Sequence, residues 1–159
     1  MNEVPRGEVG RLAVRGPTGC RYLADRRQRD YVRDGWNLTG DSFTQDDEGY
    51  FHFAARSDDM IISSGYNIAG PEVEAALLGH PAVRECAVVG APDDARGQIV
   101  QAHVVLAEGV PADDTTAALL QEHVKSTIAP FKYPRSVVFV GELPKTATGK
   151  VQRFRLRQA

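Results

Sequence analysis

Apolar residues follow two different rhythms along this chain, and the change falls near residue 57. Before it they come as short runs of strand length, at residues 11–15, 36–39 and 50–53. GPTG, RDGW and QDDEG stand between them, and their Gly, Pro and Asp content is turn chemistry. That pattern predicts strands with too little apolar mass to close a core of their own. Ala54-Ala55-Arg56-Ser57-Asp58-Asp59 is small and polar, the composition of a joint. Beyond it, residues 60–62 predict a short strand and Ser63-Ser64-Gly65 a tight loop. Residues 71–79 predict a helix, with Pro in the first turn, Val73, Ala76 and Leu77 on one face, and Gly79 at the end. Residues 83–89 and 99–106 are β-branched runs joined by the turn-forming PDDARG. A second helix is predicted over 113–128, where Leu120, Val124 and Ile128 recur every fourth residue, and a strand over 137–140. Strand, helix, strand, strand, helix, strand is the order of a small α+β domain with helices over one sheet face.

Composition narrows the class. With 159 residues, 42% hydrophobic and 25% charged, the chain accommodates one or two small domains. A net charge of −2 gives no bulk attraction to nucleic acid or to an anionic membrane. No apolar stretch approaches spanning length, and MNEVPRGEVGRL lacks the apolar centre of a signal peptide. Cys20 and Cys86 form no CxxC, which argues against a disulfide framework or a zinc site and predicts a reducing, cytoplasmic setting. Without a secretion signal the Asn37-Leu38-Thr39 sequon carries no meaning. His52, His80, His103 and His123 are scattered without metal-ligand spacing, so no metal site is expected.

The chemistry concentrates in PKTATGK, which ends on Lys150. Thr148 and Gly149 are poor helix formers and predict a flexible arm carrying one ammonium group. A cation at the tip of a glycine loop suits an anionic phosphoryl or acyl group; a solvated lysine in a polar turn fits the bare residues as well. A phosphate-binding P-loop is excluded, because Gly141 lies too far upstream and Val151 follows where Ser or Thr is required. Asp41, in Gly40-Asp41-Ser42, offers a carboxylate able to accept two ribose hydroxyls, although the bare residues favour a turn aspartate bonding local amides. No His and Asp constellation supports Ser42 as an esterase nucleophile.

Three motifs in one order bear a resemblance: WNLTGD at 36–41, ARSDDMIISSGYNI at 55–68 and PKTATGK at 144–150. Together they resemble the end of the adenylate-forming (AMP-binding) superfamily of acyl-CoA synthetases, adenylation domains and luciferases. GYNIAGPEVEAALLGHPAV, AVVGAPDDARG and APFKYPR are similar to the acyl-CoA synthetase branch, near medium-chain acyl, benzoate and 2-aminobenzoate CoA ligases. The resemblance covers nearly the whole chain. It implies that residues 1–56 are the terminal strands of a larger N-terminal domain, and that 57–159 are its small C-terminal domain, an α+β lid with a mixed sheet and helices. Neither the family's Ser/Thr/Gly-rich phosphate loop nor its aromatic-Gly-x-Thr-Glu motif occurs. The chain alone is therefore expected to be inactive.

The implied reaction has two halves: a carboxylate attacks the α-phosphate of ATP, and the CoA thiol then displaces AMP. By resemblance Asp41 binds the ribose, Arg56 reaches the ribose or a phosphate, and Asp58 is the hinge of the small domain. Ser64, Gly65 and Tyr66 would line the pantetheine tunnel, and Arg96, Lys125, Tyr133, Pro134 and Arg135 would contact the phosphates and adenine of CoA. Lys150 would bridge the carboxylate and the α-phosphate in the first half-reaction only, with Lys145 structural or solvent-facing. The bare residues also fit a surface pairing of Arg56 with Asp58 or Asp59, and a solvated helix face for Lys125. Two departures stand out: Ala55 where the family often has Gly, and Asn67 where some relatives have a basic residue. Implied cofactors are ATP, CoA and a Mg2+ ion carried on ATP; implied partners are a carboxylic acid and the N-terminal domain. Nucleic acid and membrane are not expected, while exposed N-terminal strand edges favour self-association. Two other readings share these residues: an adenylation domain loading a carrier protein, and a stand-alone non-catalytic module that binds CoA or a partner.

Overall fold

The structure is a computed structural model that describes residues 2–17 and 24–157. Cys20 lies outside the described residues. Contacts divide the chain into two units, Met1–Asp58 and Asp59–Ala159.

In the first unit the long strand β3 (Trp36–Gln45) is the common antiparallel partner of β1 (Gly10–Val14), β2 (Val32–Arg33) and β4 (Phe51–Arg56). A five-residue helix, α1 (Arg27–Tyr31), precedes β2 and has no counterpart in the sequence expectation. Phe43 packs edge-on against Phe51 and Phe53. Trp36, Tyr50, Phe51 and Phe53 nevertheless remain exposed, as expected of strands without enough apolar mass to cover one another.

The second unit holds a mixed five-stranded sheet in the order β6 (Tyr66–Ile68), β5 (Ile61–Ser63), β8 (Gly97–Leu106), β7 (Val83–Asp93), with β9 (Ser136–Phe139) parallel to β8. The β7–β8 hairpin runs further than its β-branched runs indicate: Pro92 and Asp93 pair with Gln98 and Gly97, leaving only three residues in the turn. Alternation splits the strands between two faces. Val88, Val100, Ala102 and Val104 meet α2 (Gly70–Leu78) and α3 (Asp114–Thr127) through Val73, Ala76, Leu77, Leu120 and Val124. Asp113 caps α3 by accepting the Thr116 N–H at 2.8 Å. On the opposite face Ala87, Val89 and Val105 are covered by Leu143 and Leu156 from the C-terminal segment. That segment includes the short helix α4 (Arg153–Leu156). The sheet is thus covered on both faces, by helices on one and by the Lys150-bearing segment on the other. No helix among the described residues is long and apolar enough to cross a membrane.

Candidate functional site

In the first unit, strand register sets Asp41 opposite Arg56. The Arg56 guanidinium lies between two carboxylates, with Nη1 3.8 Å from Asp41 Oδ1 and Nε donating to Asp58 Oδ1 at 3.1 Å. Gly40, at φ +84°, lets the chain turn beneath that guanidinium, and its carbonyl accepts the Ser57 N–H at 2.8 Å. Asp41, Arg56 and Asp58 therefore form one polar group where the end of β4 meets the middle of β3. Asp59 instead pairs with Arg157 within the second unit.

In the second unit the β5–β6 hairpin turns on Ser64 (φ +50°) and Gly65 (φ +83°), the two positive φ values of a type I′ turn. The non-glycine Ser64 in this region is held from both ends: its Oγ accepts from Arg96 Nη1 at 3.1 Å, and its N–H donates to the Arg96 carbonyl at 3.0 Å. Tyr66 leaves the turn and stacks on Phe131, with ring centroids 4.4 Å apart. Phe131 lies in the 3-10 turn Pro130–Lys132, two residues before Tyr133. Above the Tyr133 ring stand Lys125 Nζ at 4.4 Å and the Arg135 guanidinium at 4.9 Å, and Arg135 Nη1 donates to the Tyr133 hydroxyl at 2.9 Å. Lys125 also pairs with Glu122 at 2.5 Å on its own helix. Pro134 is fully buried, and its carbonyl accepts from Gln121 Nε2 at 3.0 Å. The structure thus gathers Ser64 with Arg96, and Lys125 with Tyr133 and Arg135, while Phe131 joins the two groups through Tyr66. Sequence reasoning passed over Phe131 although it stands inside the APFKYPR stretch; an aromatic next to Tyr66 has no local signature, since its partner is distant in sequence.

Lys150 differs from its expectation in one respect. The expected flexible arm is a closed hairpin: the Thr146 N–H donates to the Lys150 carbonyl at 2.8 Å and the Gln152 N–H to Pro144 at 2.8 Å. Thr146 Oγ1 accepts the Lys150 N–H at 3.1 Å, and Gly149 turns the tip at φ +81°. The Lys150 side chain is exposed at that tip. Lys145 is structural: it pairs with Glu85 at 2.6 Å, and this hydrogen bond holds the Glu85 carboxyl below its usual range. Among the described residues no cluster of three or more His, Cys, Asp or Glu side chains could hold a metal.

Residues 72–150 match the family described as the AMP-binding enzyme C-terminal domain. The uncharacterized acyl-CoA ligase YtcI of Bacillus subtilis is 49% identical over 156 residues, which are 96% of this chain and 30% of YtcI. The mitochondrial acyl-coenzyme A synthetase ACSM5 of Homo sapiens is 48% identical over 98% of this chain and 28% of its own length. Among solved structures, the anthranilate CoA ligase AuaEII with anthranoyl-AMP superimposes at a TM-score of 0.82 with 39% identity, over 98% of this chain and 31% of that one. The chain spans less than a third of the length of these relatives.

Proposed function

Residues 72–150 match the C-terminal domain of AMP-binding enzymes, and on that premise we propose that the chain serves as the C-terminal portion of a carboxylate–CoA ligase. Residues 1–56 are read as terminal strands of a large N-terminal domain and 57–159 as its small lid domain. In the first half-reaction negative charge gathers on the α-phosphate as the carboxylate attacks. Lys150, at the hairpin tip, supplies a cation there, while Asp41 accepts the ribose hydroxyls and Arg56 steadies the nucleotide. Asp58 is the hinge about which the lid turns between the halves. In the second, Ser64, Gly65 and Tyr66 flank the pantetheine, and Arg96, Lys125, Tyr133, Pro134 and Arg135 hold the nucleotide end of CoA. ATP and CoA are the cofactors of this reading. Mg2+ would ride on the phosphates of ATP rather than on residues of this chain. The cysteine pattern favours the cytoplasm, although several relatives are mitochondrial by name, so family membership does not set the compartment.

The observation that carries the CoA assignment is the Tyr66–Phe131 stack. It joins the loop at 64–66, where Ser64 holds Arg96, to the segment in which Lys125 and Arg135 stand over Tyr133. A carrier-protein-loading domain has no need of such a platform, because its thiol arrives without a free nucleotide. Titration calorimetry of CoA into the 159-residue chain tests this. The expected result is binding that Arg96→Ala and Arg135→Ala each weaken several-fold, with little response to pantetheine alone. Absence of binding, or equal affinity in the variants, contradicts the assignment.

A further inference from the structure

Three residues beyond Lys150 stands Arg153, and the two legs of the hairpin are fastened very differently. The leading leg has Lys145 paired with Glu85, side chains 41% and 38% exposed, an arrangement that contributes little in water. On the trailing leg, Arg153 Nη2 donates to both carboxylate oxygens of Glu74, at 2.8 and 2.9 Å, and these side chains are 27% and 14% exposed. Glu74 Oε1 accepts a third bond, from the Val88 N–H at 2.8 Å. The carboxylate therefore ties three elements together: its own helix α2, the backbone of β7, and the first turn of α4. Leu156, one turn further along α4, is buried against β7 and β8. A mostly buried carboxylate satisfied this way is far costlier to leave unpaired than an exposed one.

The hairpin carries this anchorage to its tip. The cross-bonds Gln152 to Pro144, Thr146 to Lys150 and Lys150 to Thr146, with the bridge Lys145–Val151, close the hairpin from beside Arg153 to Lys150. We infer that Arg153, clamped by Glu74, is the positioning residue that sets where the Lys150 ammonium stands. This rests on the role proposed above for Lys150. Arg153 touches no reacting atom in this account; it acts by denying the hairpin a second position, and displacement of a catalytic group by about 1 Å costs up to about a hundredfold in rate.

Two measurements test it, with Arg153→Met as the break, Glu74→Gln as a second break of the same clamp, and Arg153→Lys as the conservative variant. In hydrogen exchange on the 159-residue chain, the amides of Thr146, Gly149, Lys150 and Gln152 should exchange at least about tenfold faster in either break, with most protection restored in Arg153→Lys. Those of Ala102 and Val104 should be unchanged. Unaltered hairpin protection overturns the inference, and so does loss of protection throughout, which makes the pair merely structural. In the native polypeptide that contains this chain, Arg153→Met should lower kcat for adenylation by up to about a hundredfold. KM for ATP, and thioester formation from supplied acyl-adenylate, should be unchanged. Equal loss in both half-reactions overturns the positioning role. A wild-type polypeptide that makes no adenylate instead overturns the ligase reading, which the exchange experiment does not depend on.

Discussion

His103 is the residue whose surroundings oppose its chemistry most directly. It lies on β8 opposite Ala87 and Val138, is 3% exposed, and its Nε2 has no hydrogen-bond partner among the described residues. Burial lowers its pKa below 6.5. The unfolded chain therefore takes up a proton near pH 6.5 that the folded chain refuses until lower pH, so stability is full above that point and falls as pH drops through and below it. Urea midpoints at pH 7.5 and 5.5 should show a larger acid loss for the wild type than for His103→Leu. That variant should also be at least as stable at pH 7.5, since it removes an unsatisfied polar atom. An unchanged pH difference contradicts this account. Cys86 shows the same force on a thiol: burial, aided by the Glu74 carboxylate and opposed by Arg153, pushes its pKa up to about 12. Neither environment was legible in the sequence, where both residues sit inside ordinary β-branched runs and their neighbours come from other strands.

At the scale of elements, legibility followed locality. The α3 helix declared itself through Leu120, Val124 and Ile128, all within one stretch; the structure buries Leu120 and Val124 on it, ends it before the extended Ile128, and adds Asp113 as its cap. Replacing Asp113 by Ala should cost about 1 kcal/mol, read as a lowered denaturation midpoint, because the Thr116 N–H loses its acceptor. No change in midpoint would show that water replaces the cap without loss. Elements fixed by distant partners were not legible. The strand Tyr66–Ile68 is only three residues long and exists by pairing with β5. The Lys150 hairpin reads as a flexible arm because its anchors, Glu85 and Glu74, stand 60 and 79 residues before their partners Lys145 and Arg153. Composition describes a loop's own preference and says nothing of what holds it.

For the whole molecule, the two units bring different things. The first carries Asp41, Arg56 and Asp58 together beside the end of β4, in an antiparallel sheet that leaves large aromatics exposed. The second carries its own two-faced core, the aromatic and cationic platform, and the hairpin with Lys150. The motifs that announced the family were legible because each is a short contiguous string; the assembly of the platform around Phe131 was not. In the proposed function labour divides within the second unit, with adenylation at the hairpin tip and thioester formation at the platform. The most direct test follows both half-reactions in the native polypeptide that contains this chain, wild type against Lys150→Ala. Acyl-adenylate formation should fall by about a hundredfold or more, as when a transition-state charge partner is removed. Conversion of supplied acyl-adenylate and CoA to thioester should continue at close to the wild-type rate. Equal loss of both halves, or unimpaired adenylation, would contradict the division.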